Sequence, residues 1–123
     1  MDAKMSRYFS RRELECSRTG YCKMDPDFLA RLDNLREMLG RPVRLSSAYR
    51  HHSHPSEASK PAPGWHAKGK AADILCSGEE AYEVVARAIA CGFRGIGIAQ
   101  TGPHDKRFIH VDTRDTLRVI WSY

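Results

Sequence analysis

Two histidines and an aspartate, His66, Asp73 and His110, constrain this chain more than any other residues. Asp73 sits inside the apolar run Ala71-Ala72-Asp73-Ile74-Leu75, where a lone carboxylate is costly to desolvate unless a cation or a donor meets it. His66 stands seven positions earlier and His110 far downstream, so a fold that uses all three must bring a loop, a strand start and a second strand to one point. Two imidazoles and one carboxylate are the donor set of a zinc ion that keeps a fourth position for water. A single catalytic zinc ion is therefore expected, and with it a hydrolase. Taken one at a time the residues have plainer readings: His66 as a structural histidine, Asp73 as the buried ion-pair partner of Arg50 or a lysine. In a strand, residues two apart share a face, so His110 and Asp112 look one way while Ile109 and Val111 face the core.

The elements around these residues follow from local pattern. Residues 1–24 have no steady period and read as an N-terminal arm, with a turn of helix around Arg11 to Leu14 and Tyr8, Phe9 and Leu14 tying it down. Asp25 can cap a helix, Pro26 suits its first position, and Phe28, Leu32, Leu35 and Leu39 recur at helical steps until Gly40. Val43 to Tyr49 alternates as a strand. His51 to Gly64, with three histidines and three prolines, reads as a long irregular and therefore functional loop. Ala71 to Leu75 is a short buried strand. Ser77 and Glu80 fit a capping box, and Ala81, Val84, Val85, Ala88 and Ile89 form one stripe of a second helix ending near Cys91 and Gly92. Phe93 to Ala99 is a glycine-interrupted strand, Arg107 to Asp112 its hairpin partner, and Val119 to Tyr123 a last edge strand.

At 123 residues the whole chain, 1–123, is one domain. A net charge of +5 favours anionic surfaces, but the basic residues are scattered and no nucleic-acid recognition element is present, so no nucleic-acid partner is expected. There is no apolar run long enough to cross a membrane, and Met1 to Ser10 lacks the apolar centre of a secretory signal. Synthesis in the cytoplasm, no membrane insertion and a monomer are the corresponding expectations. Cys16, Cys22, Cys76 and Cys91 read as free thiols, with a local Cys16–Cys22 bridge as the alternative.

The sequence resembles the M15 family of zinc D-alanyl-D-alanine carboxypeptidases and murein endopeptidases, especially its short bacteriophage members. The likeness is carried by Leu45-Ser46-Ser47-Ala48-Tyr49-Arg50, by His66 through Asp73, by Gly95 to Gln100 and by Phe108-Ile109-His110-Val111-Asp112. It implies an α+β fold, with two main helices on a small, mainly antiparallel sheet, as in the signalling domain of hedgehog proteins. It also implies zinc on His66, Asp73 and His110. Arg50, with Ser47 in the same motif and His54 beyond it, is implied to bind substrate, Arg50 holding a carbonyl or carboxylate. The residue three positions before the distal histidine, acidic in many members, is Arg107 here, so Asp112 is the first substitute for the general base, with His104 and Asp105 as others. The implied substrate is a peptidoglycan stem peptide, cut at D-alanyl-D-alanine or at an internal bond such as L-alanyl-D-glutamate. Kinship with phage enzymes implies action at the cell wall, by release through holin-type lesions or from a phage particle. The alternative is a non-catalytic, zinc-containing binding module.

Overall fold

The computed structural model describes residues 4–123. The arm folds onto the body through α1 (Arg11–Leu14), a single turn closed by a capping box in which Ser10 accepts from the Glu13 N–H and Glu13 accepts from that of Ser10. Phe9 and Leu14 are buried, as expected of the residues that hold the arm. Next comes α2 (Pro26–Leu39), whose Asp25 side chain accepts from the Phe28 N–H and whose end is set by Gly40 in the left-handed region. Its stripe, Phe28, Leu29, Leu32 and Leu35, is buried, and each such side chain contributes roughly 1.5–3 kcal/mol by leaving water.

The chain then builds β1 (Leu45–Ser47), α3 (Pro55–Ala58), β2 (Ala71–Leu75), α4 (Gly78–Ala90), β3 (Gly95–Ala99), a 3-10 turn at His104–Lys106, β4 (Phe108–Asp112) and β5 (Val119–Ser122). The strands form one sheet in the order β1-β2-β4-β3-β5. Every neighbouring pair is antiparallel except β3 with β5, which runs parallel. The fold is α+β. The residues Ala72, Ile74, Ile96, Ile109 and Val111 pack with those of α2 and α4 into one core on one side of the sheet. By strand alternation the other side carries Asp73, His110, Asp112 and Trp121.

Three expectations are corrected. The strand foreseen over residues 43–49 shortens to three residues, because the pairing of β1 with β2 slips between Leu45 and Ser47, and the Tyr49 N–H turns away to the Leu14 carbonyl. The loop after Arg50 is not wholly irregular: Pro55 starts the short α3, with His54 as its cap. At α4 the capping box is absent, since Ser77 occupies the cap position without a side-chain hydrogen bond. All four cysteines are free. Among the described residues no helix is long and apolar enough to cross a membrane.

Candidate metal centre

Asp73 and His110 are directly opposed partners of the antiparallel β2/β4 pair, which puts both side chains on the same face and within reach of each other. His66 arrives from the turn between the proline-rich loop and β2. That turn is pinned: the Gly69 N–H donates to the His66 carbonyl (3.2 Å), and the Gly69 carbonyl accepts from the Asp25 N–H (3.0 Å). Gly69 adopts a φ of 73°, and a Cβ added there would collide with the Lys23 and Met24 backbone, so a side chain has neither conformation nor room. One ligand atom from each of His66, Asp73 and His110 falls within 4.8 Å of the others, and all three residues are buried.

The partners behind the rings decide which nitrogens face inward. His66 Nδ1 lies 2.7 Å from the Ala48 carbonyl, which can only accept, so this nitrogen carries the proton and Nε2 is left bare toward Asp73 Oδ1 at 3.3 Å. His110 Nε2 lies 2.7 Å from Asp112 Oδ2 and Nδ1 3.1 Å from the same Asp73 oxygen, so with the proton on Nε2 the bare Nδ1 faces Asp73. Neutral rings held this way aim two lone pairs at a carboxylate oxygen, which is repulsive unless a cation is shared among them. A proton on a ring serves in part. A zinc ion satisfies all three donors, and imidazoles backed by a carbonyl and a carboxylate are the usual support of such an ion. The residues fit the metal.

The same contacts shift the ionisations. Burial alone would raise the Asp73 carboxyl, but its hydrogen bonds with His110 and His66 outweigh that and hold it far below the usual carboxylate range. Burial works to lower His110, and the carboxylates of Asp112 and Asp73 override it and push the ring up. Asp112 is held down to about 2 against its burial by His110 and Arg114.

Arg50 stands at the mouth. Its Nη2 donates to Asp73 Oδ2 (3.1 Å) and its Nε to Ser47 Oγ (3.0 Å), so part of its donor fork remains for a ligand. The mouth opens on a cavity of about 320 Å³ lined by Arg50, Lys60, Gly64, Trp65, Phe108, Arg114, Trp121 and Tyr123 besides the three candidate ligands. Phe108, Tyr123 and Trp121 follow one another with ring centroids 5.2 and 6.1 Å apart, an aromatic floor on the sheet. Glu57, a buried carboxylate with no evident role in the sequence, accepts from Lys60 Nζ and the Gly64 N–H, both at 2.9 Å, and so folds the proline-rich loop into a wall.

The structure thus brings His66, Asp73, His110 and Arg50 together and separates the others. Ser47 serves Arg50 and lines a different cavity beside the arm. His54 is not in the lining: its Nδ1 accepts from the Ser56 N–H at the start of α3. His104 and Asp105 do not reach the centre, because their turn lies beyond the Phe108 end of β4 and lines a cleft with Arg44, Cys76 and Glu80. Asp112 is beside the centre yet faces away from the cavity, on the opposite edge of the His110 ring from Asp73, with no exposed surface. Of the candidate bases, His104 and Asp105 lie away from the three candidate ligands and Asp112 is engaged by His110 and Arg114. Sequence reading missed Trp65, Arg114 and Trp121; the adjacency of Trp65 to His66 and the Asp112-Thr113-Arg114 spacing were the available signals.

A search among curated proteins finds no match. The family model described as Peptidase M15 does match, over residues 7–112, a span that takes in both long helices, β1 through β4 and all three candidate ligands. That match covers most of the chain and agrees with the geometry just described: this protein belongs to the M15 peptidase family.

Proposed function

We propose that the protein is a zinc-dependent peptidase that hydrolyses peptidoglycan stem peptides, removing a terminal D-alanine or cutting an internal bond, in phage lysis or wall penetration. The observation that carries the metal reading is the pair of histidines whose outward N–H groups are both occupied, so that their bare nitrogens converge on buried Asp73. The substrate and biological setting rest on the family likeness, supported by a cationic, aromatic cavity and a chain of net charge +5 suited to an anionic wall.

His66, Asp73 and His110 would hold the zinc, which when bound supplies a Lewis acid for a carbonyl and acidifies water. Arg50, steadied by Ser47 and Asp73, turns its remaining N–H groups to the carbonyl oxygen or terminal carboxylate and meets the negative charge that develops there. The aromatic floor orients the peptide and excludes water from one side. Tyr123 at the rim keeps its proton, since loss of solvent pushes its phenol up and the charge of Asp73 adds to that, so it acts as a donor to the peptide.

One observation favours a second reading, a zinc-containing binding module without turnover: among the described residues Asp73 is the single carboxylate in the cavity lining, so none of them offers a free carboxylate there as base. Mass spectrometry of stem peptides after incubation with zinc-loaded protein separates the two. New amine and carboxyl ends, lost in Asp73→Ala, establish the peptidase. Binding without new ends, where an active lytic enzyme produces them, establishes the module.

A further inference from the structure

Asp112 takes four hydrogen bonds on its two oxygens, about the full capacity of a carboxylate. One comes from His110 Nε2. The other three come from one residue: Arg114 donates from Nη2 to Oδ2 at 2.7 Å, and from Nε (2.9 Å) and its backbone N–H (3.1 Å) to Oδ1. The guanidinium is itself gripped. Its carbon lies 5.0 Å from the Trp121 ring centroid and 5.5 Å from that of Trp65, the residue before His66. The Trp121 ring in turn sits 5.0 Å from the ring of His110. On the neighbouring strand β3 side chains are missing where these props need space. Gly95 pairs with Asp112 and Gly97 with His110. A Cβ on Gly95 would collide with the Asp112 carboxylate, and one on Gly97 would stand 2.7 Å from the Trp121 ring.

We propose that Arg114 is a positioning residue of the metal centre: it saturates and orients Asp112, which holds the His110 proton on Nε2 and leaves Nδ1 as a metal donor. The inference rests on the zinc reading above. A planar fork fixes the plane of a carboxylate as well as its charge, which an ammonium does not. The two tryptophan faces hold the cation by its own plane and keep water from competing for it. With the fork gone, Asp112 can turn and the His110 ring loses the partner that selects its tautomer.

The test is zinc affinity, measured by competition with a chromophoric chelator, together with the absorption spectrum of the cobalt-substituted protein. Arg114→Ala is expected to weaken zinc binding by about 10- to 100-fold, the usual effect of removing support behind a metal ligand, and to change the cobalt spectrum. Arg114→Lys should restore only part of the affinity. Arg94→Ala is the control, because the Arg94 side chain donates to the carbonyls of Arg114 and Thr116, so its removal loosens the same segment while keeping the backbone bond from the Arg94 N–H to the Asp112 carbonyl and leaving the Asp112 carboxylate untouched. It should leave both readouts unchanged. Wild-type zinc affinity in folded Arg114→Ala, or an equal loss in Arg94→Ala, overturns the proposal. If the alanine variant does not fold, nitrogen-15 shifts of His110 in the zinc-loaded wild type decide: a proton on Nε2 supports the assignment and one on Nδ1 defeats it. A wild type that binds no zinc removes the metal reading as well, whereas intact wild-type binding with an indifferent Arg114 removes this inference alone.

Discussion

Two arginine–aspartate pairs flank the same imidazole and do different work. Arg50 gives Asp73 one hydrogen bond of 3.1 Å and stands at the cavity mouth with donors to spare. Arg114 gives Asp112 three and is enclosed by indole rings. The looser pair can exchange partners when a ligand arrives, and the tighter one cannot. Ion pairing alone therefore says little about function; what matters is how many donors remain unspent and which way they point.

The contrast can be broken by substitution. The largest effect is expected from Asp73→Ala, which removes a ligand and strands Arg50: zinc binding and peptide hydrolysis both fall to background, read by metal analysis and by product mass. Arg50→Met should come next, lowering turnover by about 10²- to 10³-fold, as for loss of one donor to a developing oxyanion, while zinc affinity in the chelator assay stays close to wild type. Arg114 variants reverse that signature, with metal affinity the quantity that moves.

A pH series sharpens the comparison further. In chelator, the raised ionisation of His110 contributes stability that is present below the ordinary 6.5 and lost as pH rises through the higher folded value. Asp112, held near 2, contributes stability that is present above the ordinary carboxylate range and lost as pH falls toward that value. Thermal melts in chelator should thus show falling stability on the alkaline side and again in acid. With zinc the alkaline slope reverses, because protons compete with the metal for His110. A chelated melt that is flat from neutral pH upward would contradict the ring contacts described for His110. The smallest effect belongs to a third arginine, Arg41, which meets Glu83 at 2.9 Å and Glu80 at 3.8 Å on partly exposed surface. Arg41→Ala should cost under about 1 kcal/mol in denaturant unfolding and leave zinc affinity untouched.

Much of this was legible from residue order. Asp25-Pro26 and the spacing of Phe28, Leu32 and Leu35 announced α2, because a cap and a buried stripe are local. The grouping of the three candidate ligands was legible because a carboxylate within Ala71–Leu75 requires an explanation that apolar packing cannot supply. The role of Asp112 was not. Strand alternation correctly put it on the face of His110, but whether it opens to the cavity or backs onto the ring depends on space left by Gly95, a contact between strands. The failed capping box at Ser77 is the reverse case, a fitting local pattern whose side-chain bond is not made. His104 is close in sequence to His110, and a strand covers distance quickly enough to carry it out of reach.

The direct pairing of Asp73 with His110 has a consequence for how the sheet assembles. Were β4 to slide by one residue along β2, the imidazole would swing to the side occupied by the apolar core and the ligand pair would be dismantled. A divalent cation held between them would therefore favour one alignment of the two segments over the others. Chelation during synthesis would act as a selector, retaining chains whose strands have met in step and leaving mismatched ones free to separate and try again.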